Sequence, residues 1–220
     1  MSQTFSAHYS RSGGVVSMSK TMNGELTTKQ KLIEAAISII EAEGEVGIRV
    51  DRVAENAGFT KPVLYHHFDD REAVIAAAQA ERFRRSLEIG WDELATPLRA
   101  ASSAEQFYEI LWNWITHTAS VDGEVRRRFR TDVMGSATSR PVLMQSIVEA
   151  SRSHADNVAL SIEFAQVRGW ISTSINARDL AHWWIGLIST RIFFEIDREG
   201  FNIESWDALT KHTLRSMINF

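Results

Sequence analysis

A chain of 220 residues with 44% hydrophobic content has material for one large domain or two small ones. Its formal charge of −4 removes any bulk electrostatic case for nucleic acid, so a nucleic-acid surface must be local. The lack of cysteine excludes disulfides and thiolate metal sites and fits a reducing, cytoplasmic setting. No apolar run approaches the roughly 18 residues that span a bilayer, so no membrane partner is expected.

Residues 1–25 are rich in Ser, Gly and Thr without periodicity and read as a disordered arm. "SGGVVSM" is too short and too poor in apolar residues for a signal peptide, and Met18 or Met22 serves equally well as a start. From Thr27 onward the periodicity is helical. Thr27 and Gln30 have the spacing of a capping box, and Leu32, Ala35, Ala36, Ile39 and Ile40 form one apolar stripe. Gly44 ends that helix. A short second helix spans about Val50 to Ala57. Gly58 suits a tight left-handed turn, and Thr60 caps a third helix of about Lys61 to His67 with Pro62 in its first turn.

Two short helices joined by a glycine-containing turn form the pattern of a helix-turn-helix, whose second helix enters a major groove. Leu64 and Phe68 face inward, which leaves Thr60, Lys61, Val63, Tyr65 and His66 outward. Lys61 and Thr60 suit phosphate oxygens at a helix start, and Val63 suits a thymine methyl. Tyr65 and His66 suit phosphates or base edges. Asp69 or Asp70 caps a fourth helix running to about Ile89, in whose first turn Arg71 is a further phosphate candidate. The adjacent pair His66-His67 carries metal-ligand chemistry, but neighbours on a helix point about 100° apart, so no metal is expected.

The string "KLIEAAISIIEAEGEVGIRVDRVAENAGFTKPVLYHHFDDREAVIAAA", residues 31–78, resembles the N-terminal domain of the TetR family of bacterial repressors. The AxxAG turn and the TKPxLYxxF recognition helix carry the resemblance. It implies an all-α protein with a three-helix DNA-binding head over residues 26–72 and a helical ligand-binding and dimerisation domain over 73–220, about nine helices in all. The chain departs from the family at two positions. Arg49 stands where Ser or Thr usually caps the second helix, offering a charged phosphate contact, and Asp51 replaces a commonly basic residue and should repel phosphate. Residues 26–75 hold six basic and nine acidic side chains, a net of −3, so the DNA face must be a small basic spot on an acidic head.

The rest of the chain is helical and apolar without a motif. Ser102 or Ser103 caps a fifth helix that is apolar on nearly every face and so should be central. "GEVRRRFR" opens a sixth, "SRPVLMQSIVEASRSHADNVALSIEFAQVRG" reads as a long seventh, "NARDLAHWWIGLISTRIFFEID" as an eighth capped by Asn176, and "ESWDALTKHTLRSMINF" as a ninth. Arg126 and Arg130 lie one turn apart and either face solvent or pair with carboxylates of the head or of helix four. Large aromatics are good core filler, and they also suit a cavity for a small lipophilic or aromatic effector. Phe107, Leu111, Trp114, His117, His154, Trp184 and Arg191 are the candidates for that cavity, and Arg191 has Glu195 one turn on as a salt-bridge partner. The family resemblance implies that the last two long helices pair with a partner's copies. Trp206, Leu209, Thr213 and Met217 supply an apolar stripe for that homodimer, and Gly186 a place for close helix approach.

No GxSxG, phosphate-binding Gly loop, HExxH or cysteine nucleophile is present, so no enzyme and no cofactor is expected. The resulting expectation is a dimeric repressor that an effector releases from palindromic operator DNA. The alternative is a helical dimeric module that binds small molecules or proteins without DNA. Burial of Lys61, Tyr65 and Arg71 would favour it.

Overall fold

The computed structural model describes residues 26–89, 91–119, 121–197 and 199–220, so the expected arm at 1–25 lies outside it. The head comprises α1 (Thr28–Glu43), a 3-10 turn (Glu45–Gly47), α2 (Val50–Asn56) and α3 (Lys61–His67), followed by α4 (Arg71–Glu88). The body comprises α5 (Trp91–Ala100), α6 (Ala104–Thr118), α7 (Val121–Ala137), α8 (Pro141–Val167), α9 (Ala177–Thr190), α10 (Ile192–Glu195) and α11 (Ile203–Ser216). No strand forms among the described residues beyond an isolated bridge between Ile171 and Ile218. None of the described helices is long and apolar enough to cross a membrane.

Local chemistry sets the head's helix boundaries. The Gln30 backbone N–H donates to Thr27 Oγ1 at 3.3 Å, and the Thr27 N–H donates to Gln30 Oε1 at 2.8 Å, completing the capping box. Gly44 and Gly58 have φ of 73° and 76°, a left-handed backbone that costs a Cβ-bearing residue about 1 kcal/mol or more. Asp70 caps α4 by accepting from the Ala73 N–H at 2.7 Å. Thr60 occupies the cap position of α3, but its side chain makes no capping bond there.

Helix α4 joins two cores. Val74, Ile75 and Ala78 pack with Leu32, Ile39, Val53, Leu64 and Phe68 of the head. Ala76 and Phe83 pack with Val133, Ala137, Leu143 and Ile147 of α7 and α8. A third core gathers α5, α6, α8, α9 and α11 around Leu98, Phe107, Tyr108, Leu111, Ile162 and Ala181. Any displacement of α4 is therefore felt in the head.

The body departs from the sequence expectation in three places. Helix α5 was not expected between Ile89 and Ser102. Pro97 lies inside it, which argues against a helix locally, yet Trp91, Leu94, Ala95 and Leu98 bury one face at helical spacing. The eighth expected helix breaks at Arg191 into α9 and the single turn α10, so the described residues form eleven α-helical segments rather than about nine. Helix α6 is not buried all round: Phe107, Tyr108, Leu111 and Ile115 are buried, whereas Asn113, Thr116 and His117 are exposed.

Candidate functional site

The outer face of the head is built by α2, the turn and α3. Lys61 and Tyr65 are exposed, with the Lys61 ammonium 6.0 Å from the Tyr65 ring centroid. Arg49, Thr60 and His66 are exposed beside them, and Val63 is half-buried. Asp51 does not stand as an isolated repulsive charge. It accepts an ion pair from Lys61 at 3.1 Å, and that hydrogen-bonded carboxylate holds the Lys61 ammonium above its ordinary range. The His66 and His67 rings meet edge-on at 5.1 Å, and no cluster of three or more potential metal ligands exists among the described residues.

Arg71, expected at a phosphate, is also engaged within the chain. Its Nε donates to the Ile48 carbonyl at 2.8 Å and its Nη2 to the Glu45 carbonyl at 2.7 Å, while Nη1 bonds Glu72. The guanidinium thus satisfies carbonyls of the turn between α1 and α2 and anchors that turn on α4. Glu45 continues this link into the body. Both its carboxylate oxygens accept from Arg140, at 2.9 and 2.7 Å, and Gln79 donates to the same carboxylate at 2.8 Å. Arg140 and Gln79 together hold the Glu45 carboxyl below its usual range, chiefly through Arg140.

A cavity opens at the far end of α4. Its atom-free space, with the open solvent at its mouth counted in, is about 670 Å³, and its lining comes from α4, α5, α6, α7, α8 and α9. Trp91 meets Trp114 edge-on at 5.6 Å and His154 at 5.8 Å, forming an aromatic wall. Leu111, Ile115, Val158, Trp184 and Ile188 supply further apolar surface. Arg126 and Arg130 add two cations. The Arg130 guanidinium donates to the Ser86 carbonyl in the last turn of α4 at 3.0 Å. Burial first, and then the neighbouring Arg127 and Arg126 charges, push its pKa down to about 10. Burial and the Arg130 charge push His154 down to about 4, so its imidazole is neutral at pH 7. His154 Nδ1 and the Nε1 atoms of Trp114 and Trp184 are buried without a hydrogen-bond partner.

With both surfaces in view, comparison with known proteins is direct. The profile of bacterial regulatory proteins of the tetR family matches residues 32–78, the segment that builds the head and the first half of α4. Residues 32–78 thus carry the match to the tetR-family DNA-binding domain. The uncharacterized HTH-type transcriptional regulator TtgW of Pseudomonas putida is 28% identical over 104 residues, which are 42% of this chain and 78% of that protein. SrpR, an HTH-type transcriptional regulator of Pseudomonas putida, is 28% identical over 96 residues, 38% of this chain and 45% of that protein. A crystal structure of a candidate TetR-family regulator from Mesorhizobium loti superimposes with a TM-score of 0.62, covering 86% of this chain and 94% of that one at 17% identity. The two sequence relatives thus match on less than half of this chain, while the similarity of fold extends over head and body.

In this chain the expected cavity residues divide. Leu111, Trp114, His154 and Trp184 line the cavity. Phe107 is fully buried in the core beneath it. His117 is exposed on α6 and lies off the lining, because the helix turns it away from the buried face. Arg191 is also outside the lining. It is buried in an ion-pair network in which its Nε donates to Glu195 at 2.8 Å, its Nη1 bonds Asp207, and Arg127 bonds the same Glu195. Among the described residues Arg126 and Arg130 do not pair with head carboxylates; Arg140 ties head to body instead, through Glu45 at 2.7 Å and Glu72 at 3.6 Å. Trp91, Arg126 and Arg130 are cavity residues that sequence reasoning did not assign. The signal was present, since Gly123, Arg126 and Arg130 fall on one face of α7, but a run of arginines ordinarily marks a solvated face.

Proposed function

We propose that this tetR-family regulator acts as a homodimeric repressor, released from a palindromic operator by a small lipophilic or aromatic effector bound in the α4–α9 cavity. The carrying observation is the continuity of α4. Ser86 in its last turn bonds cavity-lining Arg130, while Val74 and Ile75 near its start are fully buried in the head core. An effector that repositions Arg130 acts on the same rigid element that orients α3.

Two copies of α3 must sit about 34–36 Å apart to reach successive major grooves. A ligand that prefers the non-binding spacing a hundredfold shifts the equilibrium by about 2.7 kcal/mol. Lys61, Thr60, Tyr65, His66, Arg49 and the partly exposed Val63 are the contacts available to DNA on each head. The exposure of Lys61 and Tyr65 favours this reading over a dimeric module without DNA. Support for the dimer comes from apolar surface at the C-terminal helices: Phe193, Ile196 and Leu209 are 64%, 69% and 67% exposed, surface that packing against a second copy would take out of water. A Cβ placed on Gly186 would meet nothing within the chain, which leaves that side of α9 open to a partner helix. Trp206 packs on Phe194 and Phe201, and Met217 on the body core, so Leu209 is the most exposed member of the expected stripe.

The test is a gel shift with the DNA upstream of the protein's own gene. Wild type should retard it and Lys61→Ala should do so weakly, at equal dimer mass and helical content. Equal retardation by both proteins would refute the assignment of α3 as the reading helix.

A further inference from the structure

The four arginines of "RRRFR" have three fates. Arg127 is paired with Glu195 in the buried network. Arg128 pairs with Glu124 at the surface at 2.9 Å. Arg126 and Arg130 face the cavity, and neither has a carboxylate partner among the described residues. Arg130 has only the neutral Ser86 carbonyl, and Arg126 makes no hydrogen bond or ion pair there. Among the described residues the lining contains no Asp or Glu. The nearby acids are already engaged, since Glu195 serves Arg127 and Arg191, and Asp207 serves Arg191.

Among the described residues this cavity wall has two cations and no anion, an unbalanced arrangement. Removing a guanidinium from water is costly unless a counter-charge meets it. The polar atoms around the arginines are unsatisfied as well. His154 is 8% exposed and Trp184 is 4% exposed, and neither His154 Nδ1 nor Trp184 Nε1 has a partner. An indole N–H can only donate, so what it lacks is an acceptor. Two guanidinium groups and two indole N–H groups therefore seek acceptor oxygens, beside a wall of Leu111, Ile115, Val158 and Ile188.

We infer that the cavity takes an organic anion with an apolar body, a lipophilic carboxylic acid, whose carboxylate is held by Arg126 and Arg130. The inference rests on the reading of this cavity as the effector site and assigns the effector's chemical class. Arg126 and Arg130 lie one turn apart on α7, close enough for one carboxylate to bridge them or to engage either in a two-point contact. The apolar body then lies along the aliphatic and aromatic wall. Recruitment of Arg130 by the acid competes with its bond to Ser86, which is the point where α4 is held.

The experiment is calorimetric titration of the intact protein, without DNA, with decanoate and 2-naphthoate. The uncharged controls are 1-decanol and 2-naphthalenemethanol, so the two acids separate a chain-like from a flat body. At least one acid should bind ten-fold or more tightly than its alcohol, and Arg126→Met and Arg130→Met should each abolish that preference. Arg126 has no hydrogen bond or ion pair among the described residues, so its single variant serves if the Arg130 variant fails to fold. Alcohols binding as tightly as acids, binding by neither acid, or an unchanged preference in the folded variants would each overturn the inference. Release of upstream DNA is measured separately. An acid that binds but does not release DNA sinks the effector reading and leaves the ligand class standing; release by the alcohols alone does the reverse.

Discussion

Replacing Arg130 with methionine should make the ligand-free protein more stable, although it removes a hydrogen bond. Folding depresses the guanidinium pKa from its ordinary range to about 10, with burial as the main cause. At about 1.4 kcal/mol per pKa unit, folding disfavours the charged form by about 3 kcal/mol. The sign is unambiguous: the folded pKa is depressed, both states are charged at pH 7, and deprotonation would relieve the penalty only above about pH 10. The bond to the Ser86 carbonyl offsets about 1 kcal/mol of this. Methionine keeps much of the apolar stem and fills the space flexibly. The net expectation is a gain of about 1–2 kcal/mol, or about 2–8 °C in midpoint for a chain of this size. Urea and thermal unfolding at pH 7 measure it, at one fixed protein concentration so that dimer mass action cancels. A loss of about 1 kcal/mol or more in Arg130→Met would show that the charge is compensated in the free protein, and the reasoning would fail.

His154 gives a pH test. Its folded pKa of about 4 lies below the ordinary 6.5, so the stability it confers is present above about pH 6.5 and is lost as pH falls toward 4. His154→Gln should therefore lose about 2 kcal/mol less than wild type between pH 7 and pH 5 in urea midpoints, and equal losses would contradict the assignment. The Glu45–Arg140 pair is part-exposed, with two-point geometry at 2.9 and 2.7 Å. A double-mutant cycle of Glu45→Gln and Arg140→Gln should give a coupling of about 1 kcal/mol, read by denaturation, and a coupling near zero would remove it as the head-to-body tie. Leu209→Glu places a charge on the most exposed position of the C-terminal stripe. It should convert dimer to folded monomer in sedimentation, and an intact dimer would put the interface elsewhere.

The head was legible because its signals are local. Thr27 with Gln30, Gly44, Gly58 and Asp70 each act within one turn of the backbone they specify, and no distant packing overrides them. The body was less legible because its decisions are tertiary. Pro97 argues against a helix locally, yet Trp91, Leu94 and Leu98 win by burial. The end of α9 at Arg191 shows no local breaker, and its guanidinium is committed to Glu195 and Asp207 on α10 and α11. His117 and His154 look equally like cavity residues in sequence. Only the rotation of α6 and α8 against their neighbours places one in water and the other on the cavity wall. The arginines of α7 illustrate the same limit. A basic run reads as a wet surface until the partners of each member are known.

The ion pair between Asp51 and Lys61 gives the reading head a built-in counterion. From a distance the two cancel, so Lys61 adds little long-range pull toward DNA in general. A phosphate set at contact distance must win the ammonium from a tethered carboxylate rather than from loose water. The exchange discriminates by position: a backbone oxygen in register gains the lysine, and one slightly out of register does not. Less dwelling on random sequence leaves more of the protein free for the site that is in register. The same exchange should make the salt slope contributed by Lys61 smaller than the usual value of about one per phosphate contact. Asp51→Asn should bring it back toward one while raising affinity for unrelated DNA more than for the operator.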